Sequence, residues 1–176
     1  MRSTVCLSFL LGLLLWCECA SADECAGFKW DVRKEQTLFA GPSIALIAGR
    51  DLSSAPVVAT DTLYQLQLLP QSVVTFTLSP GKAIPADGVY AGLATLKLER
   101  PGHHFRVALD LPFWIDVVAN GKLATAVDFQ GQRGCDAPHK IVEFDLDGAK
   151  QVVLQMSGAD NAVVHLTVTQ VPPPKA

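Results

Sequence analysis

Hydrophobic and polar residues alternate with a period of two through most of the chain beyond residue 61. In residues 62–68, Tyr64, Leu66 and Leu68 fall on one side, and Gln65 and Gln67 fall on the other. The same alternation recurs in residues 105–111, 142–146, 151–156 and 163–169. Successive side chains of a β-strand point to opposite faces, so this pattern predicts half-buried strands. No window of ten residues combines a helical apolar face with capping residues.

Turn sequences separate these predicted strands. Asn120-Gly121 lies between two apolar segments, 113–118 and 123–129, and both of its residues tolerate a positive φ. It therefore predicts a two-residue hairpin turn that pairs Ala119 with Lys122. Other turn markers are Pro80-Gly81, Asp87-Gly88, Pro101-Gly102, Asp147-Gly148, Ser157-Gly158 and Asp160-Asn161.

Together, the strands and turns predict an all-β protein. About nine or ten short strands, roughly 8–12 residues apart, favour a single-domain antiparallel β-sandwich or jelly roll over residues 23–170. The N-terminal part is less regular. We expect Phe28–Val32 to form an edge strand and residues 41–61 to form short strands joined by loops. The Pro-rich tail, residues 171–176, is expected to be flexible and polyproline-like.

Residues 1–22 have the features of a cleaved signal peptide. Arg2 precedes an apolar stretch at residues 5–16, and Ala20-Ser21-Ala22 provides small residues for cleavage before Asp23. The apolar stretch is shorter than the ~20 residues that a membrane-spanning helix needs. Lipid modification of a nearby cysteine is the alternative, although each candidate follows a bulky or acidic residue. We therefore expect a periplasmic or secreted protein with no transmembrane segment in the mature chain.

Two of the five cysteines, Cys25 and Cys135, remain after the predicted cleavage. In an oxidising compartment two cysteines most simply form one disulfide. A redox thiol or a metal ligand is the alternative reading. The mature chain has no C-x-x-C spacing, which favours the disulfide.

Composition and charge narrow the classes of function. The 176-residue chain has 14 Lys and Arg against 17 Asp and Glu, a net charge of −3, and no basic run. Nucleic-acid binding is therefore not expected, because it needs clustered cations to neutralise phosphates. Hydrophobic residues make up 49%, which excludes a disordered chain.

No catalytic or cofactor motif is present. The chain has no G-x-S-x-G, H-E-x-x-H, P-loop or G-x-G-x-x-G sequence, so we expect a non-catalytic protein without a cofactor.

His103, His104 and His139 are weak candidates for metal ligands, and the alternative is that they are surface histidines near turns. His165 is expected on the solvated side of the last strand. Glu143, Asp145 and Asp147 alternate along one predicted strand; a solvated strand face explains them better than a Ca²⁺ site.

Four aromatic residues are possible ligand contacts: Trp30, Tyr64, Tyr90 and Trp114. An exposed aromatic ring on a sandwich can hold the face of a sugar. The predicted hairpin register argues for a different role for Trp114. It would pair Asp116 with Thr125 and Trp114 with Val127, and place Trp114 in an apolar core row. Because the opposite row is also apolar, this hairpin is expected to be central in its sheet, with both faces covered.

The second half of the chain contains the segments 112–118, 140–144 and 151–158, a polar loop that carries Cys135, and the closing strand 163–169. Through these features, residues 113–169 resemble exported bacterial β-sandwich modules of the pre-peptidase C-terminal type. The beginning of the mature chain, Cys-Ala-Gly-Phe-Lys-Trp at residues 25–30, is similar to that of a group of short exported proteobacterial proteins. The first resemblance implies a jelly-roll-like module that is not itself catalytic.

These observations lead to three hypotheses. The first is a module that binds another protein of the cell envelope through its loops or an edge strand. The second is a carbohydrate-binding module that uses its aromatic residues. The third is a metal-binding protein or a hydrolase.

Overall fold

The computed structural model describes residue 25 and residues 27–98, 104–146 and 148–171. The predicted signal peptide, His103, Asp147 and residues 172–176 of the predicted tail lie outside the described residues.

The described residues form twelve strands and one short α-helix. In chain order they are α1 (Arg33–Phe39), β1 (Ile44–Ile47), β2 (Val57–Ala59), β3 (Tyr64–Gln67), β4 (Leu69–Pro70), β5 (Tyr90–Lys97), β6 (His104–Leu109), β7 (Trp114–Ala119), β8 (Lys122–Leu123), β9 (Ala126–Gly131), β10 (Lys140–Asp145), β11 (Val152–Ala159) and β12 (Val163–Gln170). The strand count exceeds the predicted nine or ten because β4 and β8 are only two residues long.

The strands form two sheets, which confirms the predicted all-β sandwich. Sheet A has the order β1-β3-β12-β6-β10-β9, and sheet B has the order β2-β5-β11-β7-β8, with β4 also paired to β5. Two pairs, β1 with β3 and β2 with β5, are parallel, so the sandwich is not wholly antiparallel as predicted. The chain passes from β1 in sheet A to β2 in sheet B and back to β3, and such a crossover permits parallel pairing.

The main core lies between the sheets and follows from the alternation in the sequence. Its fully buried aliphatic side chains include Leu66, Leu109, Leu154 and Leu166, joined by Phe105. Each alternates with a residue that points away from the other sheet. The inward rows thus form one continuous apolar layer.

The outward faces of both sheets are also covered. On sheet A, Ala108 and Ile141 pack against Val32, with Phe28 and Trp30 beside them. On sheet B, Leu93, Val118 and Val153 form a cluster against which Val74, Phe76 and Leu78 pack. We call residues 27–41 the N-terminal layer and residues 74–85 the covering segment. The molecule therefore has four layers rather than two.

The N-terminal layer differs from the sequence-based expectation. Phe28–Val32 is irregular, and the prediction of an edge strand there is wrong. It leads into the seven-residue α1, which has no side-chain cap at Val32 and is shorter than the window needed to detect a helix from sequence. The predicted disulfide between Cys25 and Cys135 is confirmed, and it joins positions 110 residues apart. It ties this layer to the loop between β9 and β10.

The hairpin at Asn120-Gly121 is confirmed only near its turn. Both turn residues have positive φ, and Ala119 pairs with Lys122. The predicted pairs further from the turn, Asp116 with Thr125 and Trp114 with Val127, do not form. The chain leaves sheet B after β8, and β9 joins sheet A beside β10. The hairpin is therefore at the edge of sheet B, not central.

No helix among the described residues is long and apolar enough to cross a membrane. The disulfide is typical of proteins that fold in an oxidising compartment outside the cytoplasm.

Candidate ligand-binding cleft

Buried polar side chains of sheet B hold the covering segment in place. The Gln155 amide accepts a hydrogen bond from Leu78 N and donates one to Leu78 O, both at 3.1 Å. Asp116 accepts one from Gly81 N at 3.0 Å. Gln155, predicted on a polar strand face, is only 1% exposed. These side chains face outward, but they meet backbone rather than water.

Gln71 and Gly158 fix the end of the covering segment. The Gln71 amide donates to Ile84 O at 3.2 Å and accepts from Gly158 N at 2.8 Å. Gly158 has a φ of 67°, and a Cβ added there would lie 2.6 Å from Ile84 Cδ1. Glycine at this position thus lets Ile84 pack directly on β11.

A cleft of about 470 Å³ lies where this segment meets the start of β7. We call it the Trp114 cleft. Its lining is Lys82, Ala83, Ile84, Pro85, Pro112, Phe113, Trp114, Lys140 and Gly158. An adjoining pocket of about 530 Å³ shares residues 82–85 and is also lined by Gln71, Phe76, Pro80 and Ser157. The walls are largely apolar, with a few polar groups among them, as in many ligand sites.

Two hydrogen-bond donors at these pockets have no protein acceptor. Trp114 Nε1 and Ser157 Oγ are both buried and make no hydrogen bond within the described part of the chain. Ser157 is 1% exposed and lies directly opposite Trp114 on the neighbouring strand. Buried polar groups are rarely left unpaired. Trp114 lines the Trp114 cleft and Ser157 lines the adjoining pocket, so both unpartnered donors belong to residues at these pockets.

Two lysines flank the Trp114 ring. The Nζ atoms of Lys82 and Lys140 lie 5.7 and 5.5 Å from its centroid, within the range of cation–π attraction. Lys140 also donates to Phe113 O at 3.1 Å. Burial lowers the pKa of Lys140, and the nearby charge of Lys82 lowers it further, while Asp116 opposes both effects. In the described residues neither lysine forms an ion pair.

Trp30, the second tryptophan in the sandwich, lies on the other side of the molecule. Its ring is 4.7 Å from Lys29 Nζ and 4.9 Å from the Arg106 guanidinium, in an open groove over sheet A. Here the cations are already neutralised, because Lys29 pairs with Asp128 and Arg106 pairs with Glu143. Among the described residues that line this groove, the buried polar atom without a partner is an acceptor, Glu35 Oε2, rather than a donor.

The two tyrosines do not join either tryptophan. Tyr64 is 6% exposed in the core between the sheets, where its hydroxyl accepts a hydrogen bond from Ala59 N. Tyr90 is partly buried against the same core. The four aromatic candidates therefore do not form a row: Trp114 lines the Trp114 cleft, and Trp30 lines the groove over sheet A.

The histidine candidates are also dispersed. His104 Nδ1 lies 3.9 Å from Glu143 Oε1, whereas His139 Nδ1 is 3.0 Å from Cys135 O. Among the described residues, no three His, Cys, Asp or Glu side chains are grouped to hold a metal ion.

Glu143 and His165 differ from the solvated positions expected for them. Glu143 is only 4% exposed, because the N-terminal layer covers this part of sheet A. Its carboxylate accepts a hydrogen bond from Arg106 Nε at 3.1 Å. Asp110 Oδ2 lies 2.8 Å from His165 Nδ1, and burial raises the pKa of Asp110. His165 is therefore paired rather than simply solvated.

Lys82, Lys140 and Ser157 were not among the residues predicted to form a site. The sequence marks Pro80-Gly81 and Pro85 as a loop, but no local signal shows that this loop folds back over sheet B. The Trp114 cleft depends on that long-range contact.

Replacing Gln155 by leucine should lower the free energy of unfolding by roughly 2–3 kcal/mol, because Leu78 loses both of its partners for backbone hydrogen bonds. Urea unfolding measures the loss, and hydrogen exchange at Leu78 should accelerate. Gln151→Leu, on an exposed residue just before β11, is the control and should change stability by less than about 0.5 kcal/mol. Equal stabilities of the two variants would show that the amide does not hold the covering segment.

Comparisons with known proteins add no identification: no protein-family model matches the chain, and no curated protein matches it significantly.

Proposed function

We propose that the protein is an exported, non-catalytic module that binds a carbohydrate in the Trp114 cleft. The observation that carries the proposal is the partly exposed indole ring in an apolar cleft bordered by unpaired donors. An aromatic ring offers an apolar face to the C–H groups of a sugar, while neighbouring donors bind its oxygens. Trp114 and its surroundings provide both kinds of contact.

Export is supported by the sequence of residues 1–22 and by the Cys25–Cys135 disulfide. Both fit a protein of the periplasm or one that is secreted. The resemblance of residues 113–169 to pre-peptidase C-terminal modules supports a role that is not catalytic.

His165 and Asp110 form a polar side-chain pair at 2.8 Å. Asp110 orients this imidazole, as the carboxylate does in serine hydrolases. A hydrolase of that type also needs a hydroxyl or thiol within hydrogen-bond reach of the imidazole. Within the described ranges, the side-chain hydrogen bond of His165 is to Asp110. We propose that this pair is structural.

Trp114→Ala should weaken carbohydrate binding by at least about tenfold, because a tryptophan that anchors a ligand commonly contributes more than 1.4 kcal/mol. Calorimetric titrations of the purified mature protein with neutral and acidic oligosaccharides give the affinities. Phe129→Ser, on an exposed side chain of sheet A, is the control and should bind normally. Undiminished binding by Trp114→Ala, or no binding of any oligosaccharide by the wild type, would refute the proposal.

A protein-binding role through β9 is the second candidate. β9 is the last strand of sheet A, and its Val127 and Phe129 are 49% and 68% exposed. An edge strand with apolar side chains can pair with a strand of another chain. The Phe129→Ser variant separates the candidates, because it should impair only this role.

A further inference from the structure

We propose that the ligand of the Trp114 cleft is an acidic carbohydrate whose anionic group binds between Lys82 and Lys140. This inference rests on the proposed carbohydrate-binding function and specifies the chemical class of the ligand.

The first argument is the charge of the cleft. The two ammonium groups lie 5.7 and 5.5 Å from one indole centroid, and Asp116 is the carboxylate that acts on Lys140. Asp116 itself is buried and accepts a hydrogen bond from Gly81 N. One carboxylate against two ammonium groups leaves the cleft positive, although the whole chain has a net charge of −3.

The second argument is that the lysines retain donors for a ligand. Lys140 donates to Phe113 O, and an ammonium group has three N–H donors. In the described structure no carboxylate lies within ion-pairing distance of either Nζ, whereas Lys29, Arg33, Lys34 and Arg106 around the Trp30 groove are all paired. An anion in the Trp114 cleft would relieve the repulsion between Lys82 and Lys140.

The third argument is the unpaired neutral donors. Trp114 lines the cleft and Ser157 lines the adjoining pocket, and Trp114 Nε1 and Ser157 Oγ have no hydrogen-bond partner among the described residues. The site therefore combines two cations, two neutral donors and an aromatic ring. A neutral sugar would use the ring and the neutral donors but leave the ammonium charges uncompensated. An acidic sugar would engage all of them.

Matched oligosaccharides test this inference. Trigalacturonate should bind at least about tenfold more tightly than its methyl ester, because a hydrogen bond between charged groups is stronger than one between neutral groups. A sulfated galactotriose compared with galactotriose shows whether sulfate serves as well as carboxylate. The preference for the acid should decrease as ionic strength rises.

Variants assign the preference to the two lysines. Lys82→Met and Lys140→Met should each reduce the ratio of the affinities for the acidic and neutral forms toward unity. Lys150→Met removes an equal charge from an exposed residue at the other end of β11 and should keep the preference. Thermal unfolding without ligand establishes that each variant is folded.

The outcomes separate this inference from the proposed function. Equal affinity for acidic and neutral forms in both pairs, with binding still lost in Trp114→Ala, would overturn the acidic-ligand inference alone. A preference that survives both lysine substitutions would also overturn it. Failure of every oligosaccharide to bind would overturn both proposals.

Discussion

Replacing Cys25 and Cys135 together by serine should lower the free energy of unfolding by about 4–5 kcal/mol in the chain-entropy view of disulfides. The bond closes a loop across a sequence separation of 110 residues, so its loss frees the segment from α1 through β9 in the unfolded state. A single domain of this size is stable by only about 5–15 kcal/mol. Urea unfolding of the double variant measures the effect.

Reduced and alkylated wild-type protein provides an independent comparison. It should unfold at nearly the same urea concentration as the double variant, since both lack the bond. A decrease of less than about 1 kcal/mol in both proteins would contradict the prediction. It would show that the unfolded chain is already restricted without the disulfide.

The inward rows of the sandwich could be predicted because they depend on a local rule. A strand in which every second residue is apolar has one face to bury. Leu66, Leu154 and Leu166 follow this rule, and all three lie in the core between the sheets. The disulfide was equally predictable, because only two cysteines follow the predicted cleavage site.

The outer layers could not be predicted by the same rule. Gln155 and Glu143 stand at polar positions of alternating strands, yet both are buried. Their burial depends on segments that are distant in sequence: Leu78 bonds Gln155 across 77 positions, and the N-terminal layer lies over Glu143. A polar residue on the outward face does not reveal whether water or backbone will be its partner.

The hairpin shows the same limit at short range. Asn120-Gly121 predicts the turn and the pair next to it, but not how far the pairing extends. The departure of the chain from sheet B after Leu123 leaves Trp114 without the predicted partner Val127 and places its ring beside the covering segment. The candidate site thus lies where the structure departs from the predicted hairpin.

The buried ion pair under the N-terminal layer leads to the second large effect. Arg106→Met should lower the free energy of unfolding by about 3–5 kcal/mol, because it leaves the Glu143 carboxylate buried without its main partner. Arg106 also donates to Asp31 O at 3.1 Å and lies 4.9 Å from the centroid of the Trp30 ring. Its loss should therefore loosen the N-terminal layer as well. Urea unfolding gives the energy, and a change in Trp30 fluorescence reports on the layer.

The double variant Arg106→Met with Glu143→Leu distinguishes an unpaired charge from lost packing. Replacing a buried ion pair by apolar residues of similar volume is often close to neutral, so the double variant should recover most of the stability lost in Arg106→Met. A double variant as unstable as the single one would contradict this account. Packing of the arginine side chain beneath Trp30, rather than compensation of the Glu143 charge, would then be its main contribution. Recovery would instead show that the sandwich tolerates an apolar outer face here as long as no carboxylate is buried alone.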